Sequence, residues 1–455
     1  MLQSAPMRHS RIALSAVSLS FLFFSACGGD DGRAGPPTLP AANDPAFAIL
    51  AAPAYILAGD ALTPDSPSFV VTVKPPAGVG AIEAWVDGQG PTLLHKDGDA
   101  FTGSYDAAAQ LAQGAHTLLL AEPSQAAAFA RVDFVKGHAL YVVVSTDWDN
   151  AYNTVKQTDL QNALHNNHTH LKLTHLVGPY TFTDPTLTEE QRVEMVNWVK
   201  HQRDTFGDEI GTHIHPYCNF VTSVGLTCQT APSFRQAADP TGYTVRLGAY
   251  TYDQWMTMFA RVDELWAAHG MGKPTAFRAG GWTLEIPVLR ALADSGYVAD
   301  SSAVNWARME EWKGVTLNGQ TVPASLYEWN MAQWAPITST TQAYYATEDS
   351  ILPGGSGTPI PVLEVTDNGI LADYVLSTEM IDIFKQNWDG GPLAAPIELS
   401  IGYHPPSIDV TDAGELFFDR LDRALAHIDG FLATDARGPV VYITMSQAAK
   451  VWPAP

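Results

Sequence analysis

Residues 137–150 read GHALYVVVSTDWDN and mark the point at which the pattern of the chain changes. Before Gly137, short apolar runs are separated by Gly, Pro and Asp clusters; after it, strand-like runs alternate with helical patterns. The strand-like runs begin at residues 140, 171, 209, 275, 296, 361, 397 and 439. Repeated β-α alternation predicts a parallel sheet with right-handed crossovers, and about seven or eight units predict a closed or nearly closed barrel. The expected fold is therefore α/β, a distorted (β/α) barrel over residues 138–455.

Helical patterns fill the intervals between most of these runs. They cover residues 188–206, 252–269, 283–294, 374–387 and 412–432. Thr188 and Gln191 have the spacing of a capping box, in which each side chain bonds the backbone N–H of the other residue. Thr251 and Gln254 repeat that spacing. Two helices are therefore predicted to begin directly after Thr188 and Thr251.

Residues 47–137 carry short β-type runs of another kind. These runs begin at residues 68, 81, 116 and 126. Regular short strands with Gly, Pro and Asp punctuation predict an antiparallel sandwich. The segment resembles the immunoglobulin-like accessory modules of secreted bacterial enzymes, so we expect a small all-β accessory domain here.

The N-terminus has the features of an export signal. Arg8 and Arg11 precede an apolar run at residues 12–24, which ends in small residues and Cys27. The run is too short to span a bilayer but fits a signal peptide. The sequence FFSAC resembles a bacterial lipobox, which predicts a lipoprotein anchored to a membrane only through Cys27; ordinary secretion is the alternative. Residues 28–46 are rich in Gly, Pro and Asp and predict a flexible linker.

The composition bounds the functional classes. The chain has 455 residues, with 48 Asp and Glu against 25 Lys and Arg, a net charge of −23. Such an acidic chain repels phosphate backbones, so we expect no nucleic-acid partner. No protein partner is indicated. Beyond Cys27, Cys218 and Cys228 lie ten positions apart and could close a disulfide in an oxidising compartment; two buried free thiols are the alternative.

Polar residues follow the predicted strands. They are Asp147, Asp149, His213, His215, Arg278, Asp300, Asp367 and His404. The carboxyl ends of barrel strands meet at one face, where active sites form. We therefore expect carboxylates, imidazoles and one guanidinium to meet there.

These residue types point to metal-assisted hydrolysis of an acyl bond. Asp149, His213 and His215 offer a carboxylate and two imidazoles, a set that binds one divalent ion, with zinc as the expected metal. Asp147 lies two residues before Asp149, on the same side of an extended strand end, and could accept a proton from water. Arg278 could keep that base ionised and oriented. His404 could donate a proton to the leaving group.

Four short segments resemble the NodB-type polysaccharide deacetylases of carbohydrate esterase family four. They are STDWDN (145–150), EIGTHIHPY (209–217), FRAGGW (277–282) and IGYHPP (401–406), in the family's order. The resemblance implies Asp147 as catalytic base, Asp149, His213 and His215 as metal ligands, Arg278 as partner of the base and His404 as general acid. It also implies a polysaccharide substrate and deacetylase activity.

The chain departs from the family pattern at two points. Trp148 separates aspartates that are usually adjacent, and the two histidines are two residues apart rather than four. One histidine could therefore lie outside the ligand shell. The stretches 216–250 and 303–360 are longer than in the compact family domain and are expected to form loops over the cleft. Candidates for stacking on sugar rings, with ordinary packing as the alternative, are Trp148, Trp282, Trp306 and Trp329.

Three further hypotheses come from these residues. A barrel that has lost turnover would be a carbohydrate-binding surface lipoprotein. A glycosidase on the same scaffold would use two carboxylates such as Asp147 and Asp367. A second group of histidines could suggest another metal site, but its spacing favours surface or packing roles. Its members are His165, His168, His170 and His175.

Overall fold

The computed structural model describes residues 35–149, 151–306, 316–317, 320–321 and 324–454. The predicted signal peptide at residues 1–27, with Cys27, lies outside the described residues, as do residues 28–34 of the predicted linker. In the part of the chain that is described, none of the helices combines the length and the apolar composition needed to cross a bilayer.

Residues 48–137 form an eight-stranded β unit. Its strands are β1 (Ala48–Ala51), β2 (Tyr55–Leu57), β3 (Phe69–Lys74), β4 (Ile82–Val86), β5 (Gln89–Asp97), β6 (Ala100–Tyr105), β7 (Gly114–Ala121) and β8 (Ala130–Gly137). The order is β1-β3-β6-β5-β4-β7-β8-β2, and the long strand β5 pairs with β4 through its first half and with β6 through its second. The other pairs are antiparallel as expected, but β2 runs parallel to β8. Inward-facing residues such as Val73, Ile82 and Leu118 fill a separate core.

The remaining strands belong mainly to one curled sheet. They are β9 (Leu140–Asp147), β10 (Leu173–Val177), β11 (Glu209–Ile214), β12 (Ala276–Ala279), β13 (Ala299–Asp300), β14 (Thr316–Leu317), β15 (Gln320–Thr321), β16 (Tyr344–Thr347), β17 (Pro359–Glu364), β18 (Ile397–Tyr403), β19 (Thr411–Asp412), β20 (Glu415–Leu416) and β21 (Val440–Ile443). The nine-stranded sheet has the order β16-β17-β13-β12-β11-β10-β9-β18, and β21 also pairs with β9. All its pairs are parallel except β16 with β17.

The sheet almost closes at its carboxyl end. Gly369 N donates to Ser400 O at 2.8 Å and Ala372 N donates to Gly402 O at 2.8 Å, so the chain after β17 reaches the end of β18. A Cβ on Gly369 would lie 2.5 Å from Ser400 O, which explains why glycine stands at this close approach. The expected α/β fold and the nearly closed barrel are confirmed.

The described residues also form α-helices between and after the strands. They are α1 (Val155–Asn167), α2 (Glu189–Phe206), α3 (Cys218–Ser223), α4 (Tyr252–His269), α5 (Ile286–Ser295), α6 (Ala324–Trp334), α7 (Ser377–Asn387), α8 (Phe417–Asp429) and α9 (Met445–Val451). Both predicted capping boxes are present, at the starts of α2 and α4. Each of these two helices ends at a left-handed glycine, Gly207 and Gly270, which satisfies its last carbonyls without a Cβ clash.

The β unit contacts the amino ends of the barrel strands. Tyr55 OH donates to His138 O at 2.8 Å, and Tyr55 N donates to Ala436 O at 3.0 Å, just before β21. Tyr141, near the start of β9, donates its hydroxyl to Asp60 at 2.7 Å. These contacts place the β unit at the end of the barrel opposite to the carboxyl ends of the strands.

Candidate metal centre

Asp147 is the last residue of strand β9, and Asp149 follows it two residues later. Asp149 N donates to Asp147 O at 3.1 Å, so the chain makes a tight turn centred on Trp148. Trp148 is buried among core residues, with its ring 6.0 Å from that of Trp198. Because it faces the helical layer, Trp148 cannot stack on a sugar; it separates the aspartates without removing either from the site.

Arg278 at the end of β12 binds Asp147. The guanidinium Nη1 donates to both carboxylate oxygens of Asp147, at 3.0 and 3.1 Å. Its remaining N–H groups donate to Ser301, at 2.7 Å to the carbonyl and 2.8 Å to the hydroxyl. Arg278 is fully buried, so this fork holds the Asp147 carboxylate in one orientation with charge-assisted hydrogen bonds.

Asp149, His213 and His215 converge on one point. Oδ1 of Asp149 lies 3.0 Å from His213 Nε2 and 3.2 Å from His215 Nε2, and one ligand atom from each residue falls within 4.8 Å of the others. The two histidines sit two residues apart at the end of β11, so strand alternation turns both rings to the same side. Two ligand atoms about 2.1 Å from one tetrahedral ion lie about 3.4 Å apart, so these spacings fit a shared cation.

Hydrogen bonds to backbone carbonyls determine which ring nitrogens face this point. His213 Nδ1 donates to Arg278 O at 3.0 Å, and His215 Nδ1 donates to Tyr243 O at 2.6 Å. Since a carbonyl only accepts, each Nδ1 carries a hydrogen, and each Nε2 faces the carboxylate with its lone pair or with a second proton. Positive charge between the Nε2 atoms and Asp149 would satisfy this arrangement, and a divalent cation would supply it.

His404 follows β18 and completes the cluster from the far side of β9. Its Nε2 lies 3.6 Å from Asp149 Oδ2, and its Nδ1 lies 3.3 Å from Asp373 Oδ2. Asp373 also accepts from the His404 backbone N–H at 3.0 Å. Burial lowers the pKa of His404, but the carboxylates of Asp373 and Asp149 outweigh burial and raise it to about 10. The raised pKa favours a protonated imidazole beside the candidate metal ligands.

The loop after β11 adds two tyrosines that the sequence reasoning did not select. Tyr243 OH donates to Asp149 Oδ2 at 2.7 Å, and its ring stacks on His215 with centroids 4.2 Å apart. Tyr217 OH donates to the Asp149 carbonyl at 3.0 Å. The predicted disulfide between Cys218 and Cys228 is present in this loop. The unusual length of this loop was the only feature of the sequence that pointed to these contacts.

Asp300 and Asp367 lie behind the site rather than in it. Asp300 is fully buried and hydrogen-bonds to Glu364; burial raises the pKa of both carboxyl groups, so the pair holds a proton. Asp367 accepts from Trp282 Nε1 at 3.1 Å and lies 3.8 Å from Arg278 Nη2. Because Asp367 has no exposed surface, it is not placed to attack a sugar, and this burial argues against the two-carboxylate glycosidase hypothesis.

The other predicted tryptophans and histidines have mainly packing roles. Trp282 and Trp306 are buried, whereas Trp329 is half-buried with Arg246 5.5 Å from its ring centroid. Three of the four histidines hydrogen-bond to carboxylates: His165 and His175 both contact Asp208 Oδ2, at 2.8 and 3.0 Å, and His168 contacts Asp422 and Asp429. His170 is exposed. Among the described residues, the side-chain cluster that could hold a metal ion does not include any of these four histidines.

Comparisons with known proteins give similarity of structure only. The chain matches no protein-family model and no curated sequence. A structure described as a polysaccharide deacetylase from Mycobacterium smegmatis is 13% identical, with 69% of this chain and 90% of that chain covered and a TM-score of 0.40. A family 4 carbohydrate esterase from Streptomyces lividans in complex with acetate is 9% identical, over 69% and 95%, with a TM-score of 0.32. A structure described as a glycoside hydrolase/deacetylase from Parabacteroides distasonis is 11% identical, with 70% of this chain and 71% of that chain covered and a TM-score of 0.42.

Proposed function

We propose that this protein is a metal-dependent hydrolase that removes acetyl or similar acyl groups from a polysaccharide. The observation that carries the proposal is the convergence of Asp149, His213 and His215 with both Nδ1 atoms bonded to carbonyls. These three side chains would hold one divalent ion, and zinc suits a set of one carboxylate and two imidazoles. Such an ion, when bound, lowers the pKa of water and polarises an acyl carbonyl.

The surrounding residues supply proton transfer on the two sides of the ion site. Asp147 accepts a proton as the base, and its two hydrogen bonds from Arg278 keep the carboxylate oriented. His404 donates a proton from Nε2 to the departing nitrogen or oxygen, while Asp373 holds the opposite ring nitrogen. The base and the acid thus come from different strands, β9 and β18, that pair side by side.

The first experiment compares metal binding and acetate release in residues 28–455. We expect about one zinc ion per chain in the wild type and none in Asp149→Ala, with acetate released from an acetylated glycan only by the wild type. Asp204→Ala, at an exposed aspartate in α2, serves as the control and is expected to keep both properties. The panel includes chitooligosaccharides, acetylated xylan and peptidoglycan, because the site does not distinguish amide from ester.

Two outcomes would change the proposal. Zinc binding without acetate release from any member of the panel would favour a carbohydrate-binding protein that has lost turnover. Absence of zinc from the wild type would refute the metal assignment itself.

We further propose that the protein is exported and anchored through a lipid on Cys27. Two observations support this proposal: the FFSAC segment and the Cys218–Cys228 disulfide, which is typical of oxidising compartments. Incorporation of labelled palmitate into the wild type but not into Cys27→Ala tests it. Label in both proteins, or in neither, would contradict it.

A further inference from the structure

Tyr243 makes three separate contacts with two of the candidate metal ligands. Its hydroxyl donates to Asp149 Oδ2, its carbonyl accepts from His215 Nδ1, and its ring stacks on the His215 imidazole. The hydroxyl therefore bonds Asp149 Oδ2, whereas His213 and His215 contact Oδ1. One residue thus limits rotation of both the carboxylate and the imidazole.

Tyr243 belongs to a turn that is packed on the disulfide. Cys218 N donates to Thr241 O at 2.7 Å, immediately beside the bridge to Cys228. Gly242 has a φ of +92°, and a Cβ there would lie 2.5 Å from Pro216 O and 3.0 Å from Cys218 N. The turn therefore lies directly against the backbone at Cys218. Any displacement of Cys218 would move the turn that carries Tyr243.

The loop around the bridge has little regular structure of its own. Between α3 and α4 the described regular structure is the 3₁₀ turn Leu247–Ala249 and a single bridge between Arg235 and Val245. A segment with few ladder hydrogen bonds opens locally at low cost, so a covalent link matters more here than in a strand.

We propose that Tyr243 is a positioning residue of the metal centre and that the Cys218–Cys228 disulfide keeps it in place. The inference rests on the proposed function, because it assumes that Asp149 and His215 bind a metal ion. Groups that orient metal ligands by hydrogen bonding typically change metal affinity by about 10–100-fold when removed. The oxidised chain would accordingly retain its ion better than the reduced chain, so export would improve metal retention.

Tyr243→Phe tests the hydroxyl alone, because the ring and the carbonyl remain. We expect its zinc Kd to rise about 10–100-fold in a chelator competition. Tyr252→Phe is the matched control: it removes a hydroxyl that donates to Asp294 at 2.6 Å on the surface, and its zinc Kd is expected to match the wild type. The visible spectrum of the cobalt-loaded protein is expected to differ between Tyr243→Phe and wild type, since it reports ligand geometry rather than stability.

The disulfide is tested by the rate at which a chelator removes zinc. We expect about tenfold faster loss from Cys218→Ser/Cys228→Ser than from the oxidised wild type, and a similar acceleration when the wild type is reduced. Reductant is expected to have no further effect on the double variant. Unchanged zinc Kd and cobalt spectrum in Tyr243→Phe would overturn the role of Tyr243, and an unchanged release rate would overturn that of the disulfide. A wild type that binds no zinc would overturn the metal centre and this inference together.

Discussion

Replacing the buried carboxyl group of Asp367 by an amide is expected to stabilise the protein at alkaline pH. Asp367 Oδ2 accepts from Trp282 Nε1, whereas Oδ1 has no hydrogen-bond partner among the described residues. Burial raises the pKa of Asp367 from its ordinary value of 3.8 to about 6, although Arg278 acts to lower it. The ionised form is therefore poorly stabilised in the fold, and Asp367→Asn keeps the shape of the side chain without the charge.

The size of the effect follows from this pKa. The rise in the pKa of Asp367 from 3.8 to about 6 corresponds to about 3 kcal/mol of differential stability between the two protonation states. Because the folded pKa is raised, the contribution of Asp367 to stability is complete below 3.8 and is lost as pH rises through about 6. Asn does not ionise, so Asp367→Asn is expected to gain about 3 kcal/mol at pH 8 and almost nothing at pH 4.

Urea unfolding followed by tryptophan fluorescence at pH 4 and pH 8 measures both values. Asp204→Asn, at an exposed aspartate, is the control and is expected to stay within about 0.5 kcal/mol of wild type at both pH values. A gain of equal size at both pH values would show that the effect does not come from ionisation. A loss of stability at pH 8 would refute the reasoning about burial.

Three further substitutions are expected to separate stability, metal binding and turnover. Arg278→Met leaves Asp147 buried without its partner and is expected to cost about 3–5 kcal/mol of unfolding free energy in urea. Gly280→Ala places a Cβ 2.6 Å from Cγ of His215, so its zinc Kd is expected to rise at least about 10-fold in chelator competition. His404→Gln is expected to keep its zinc Kd within about 3-fold while acetate release falls about 10²–10⁴-fold; an equal fall in zinc binding would show that His404 is a ligand instead.

Periodicity in the sequence was sufficient to predict most of the barrel. Each predicted strand-like run after residue 137 contains a strand, and α4 spans the predicted residues 252–269. The sequence pattern misplaced or missed elements whose structure depends on pairing with another strand. The helix predicted over 412–432 begins at Phe417 because a small hairpin, β19 with β20, precedes it. The antiparallel edge strand β16 was not predicted, since its pairing with β17 leaves no mark in its own short sequence.

The candidate site also contains some residues that the sequence pattern identifies and others that it does not. Asp149 and the two histidines could be selected because strand ends and alternation are readable from sequence. Because His213 and His215 are two residues apart rather than four, a position outside the cluster was left open for one of them. Both Nε2 atoms nevertheless contact Asp149 Oδ1, at 3.0 and 3.2 Å. Tyr243 and Asp373 could not be selected, because they come from irregular segments whose positions depend on long-range packing.

The arrangement of the β unit separates the candidate site from the proposed anchor at Cys27. Strand β8 ends at Gly137 beside the barrel, whereas Thr38 bonds Ala126 near the opposite end of that strand. Entry point, β unit, barrel and site thus follow in that order. About eleven residues join Cys27 to Thr38, and a fully extended chain of that length spans at most ~40 Å. A lipid on Cys27 would therefore attach at the end of the protein opposite to the candidate site, with the β unit and the barrel between them.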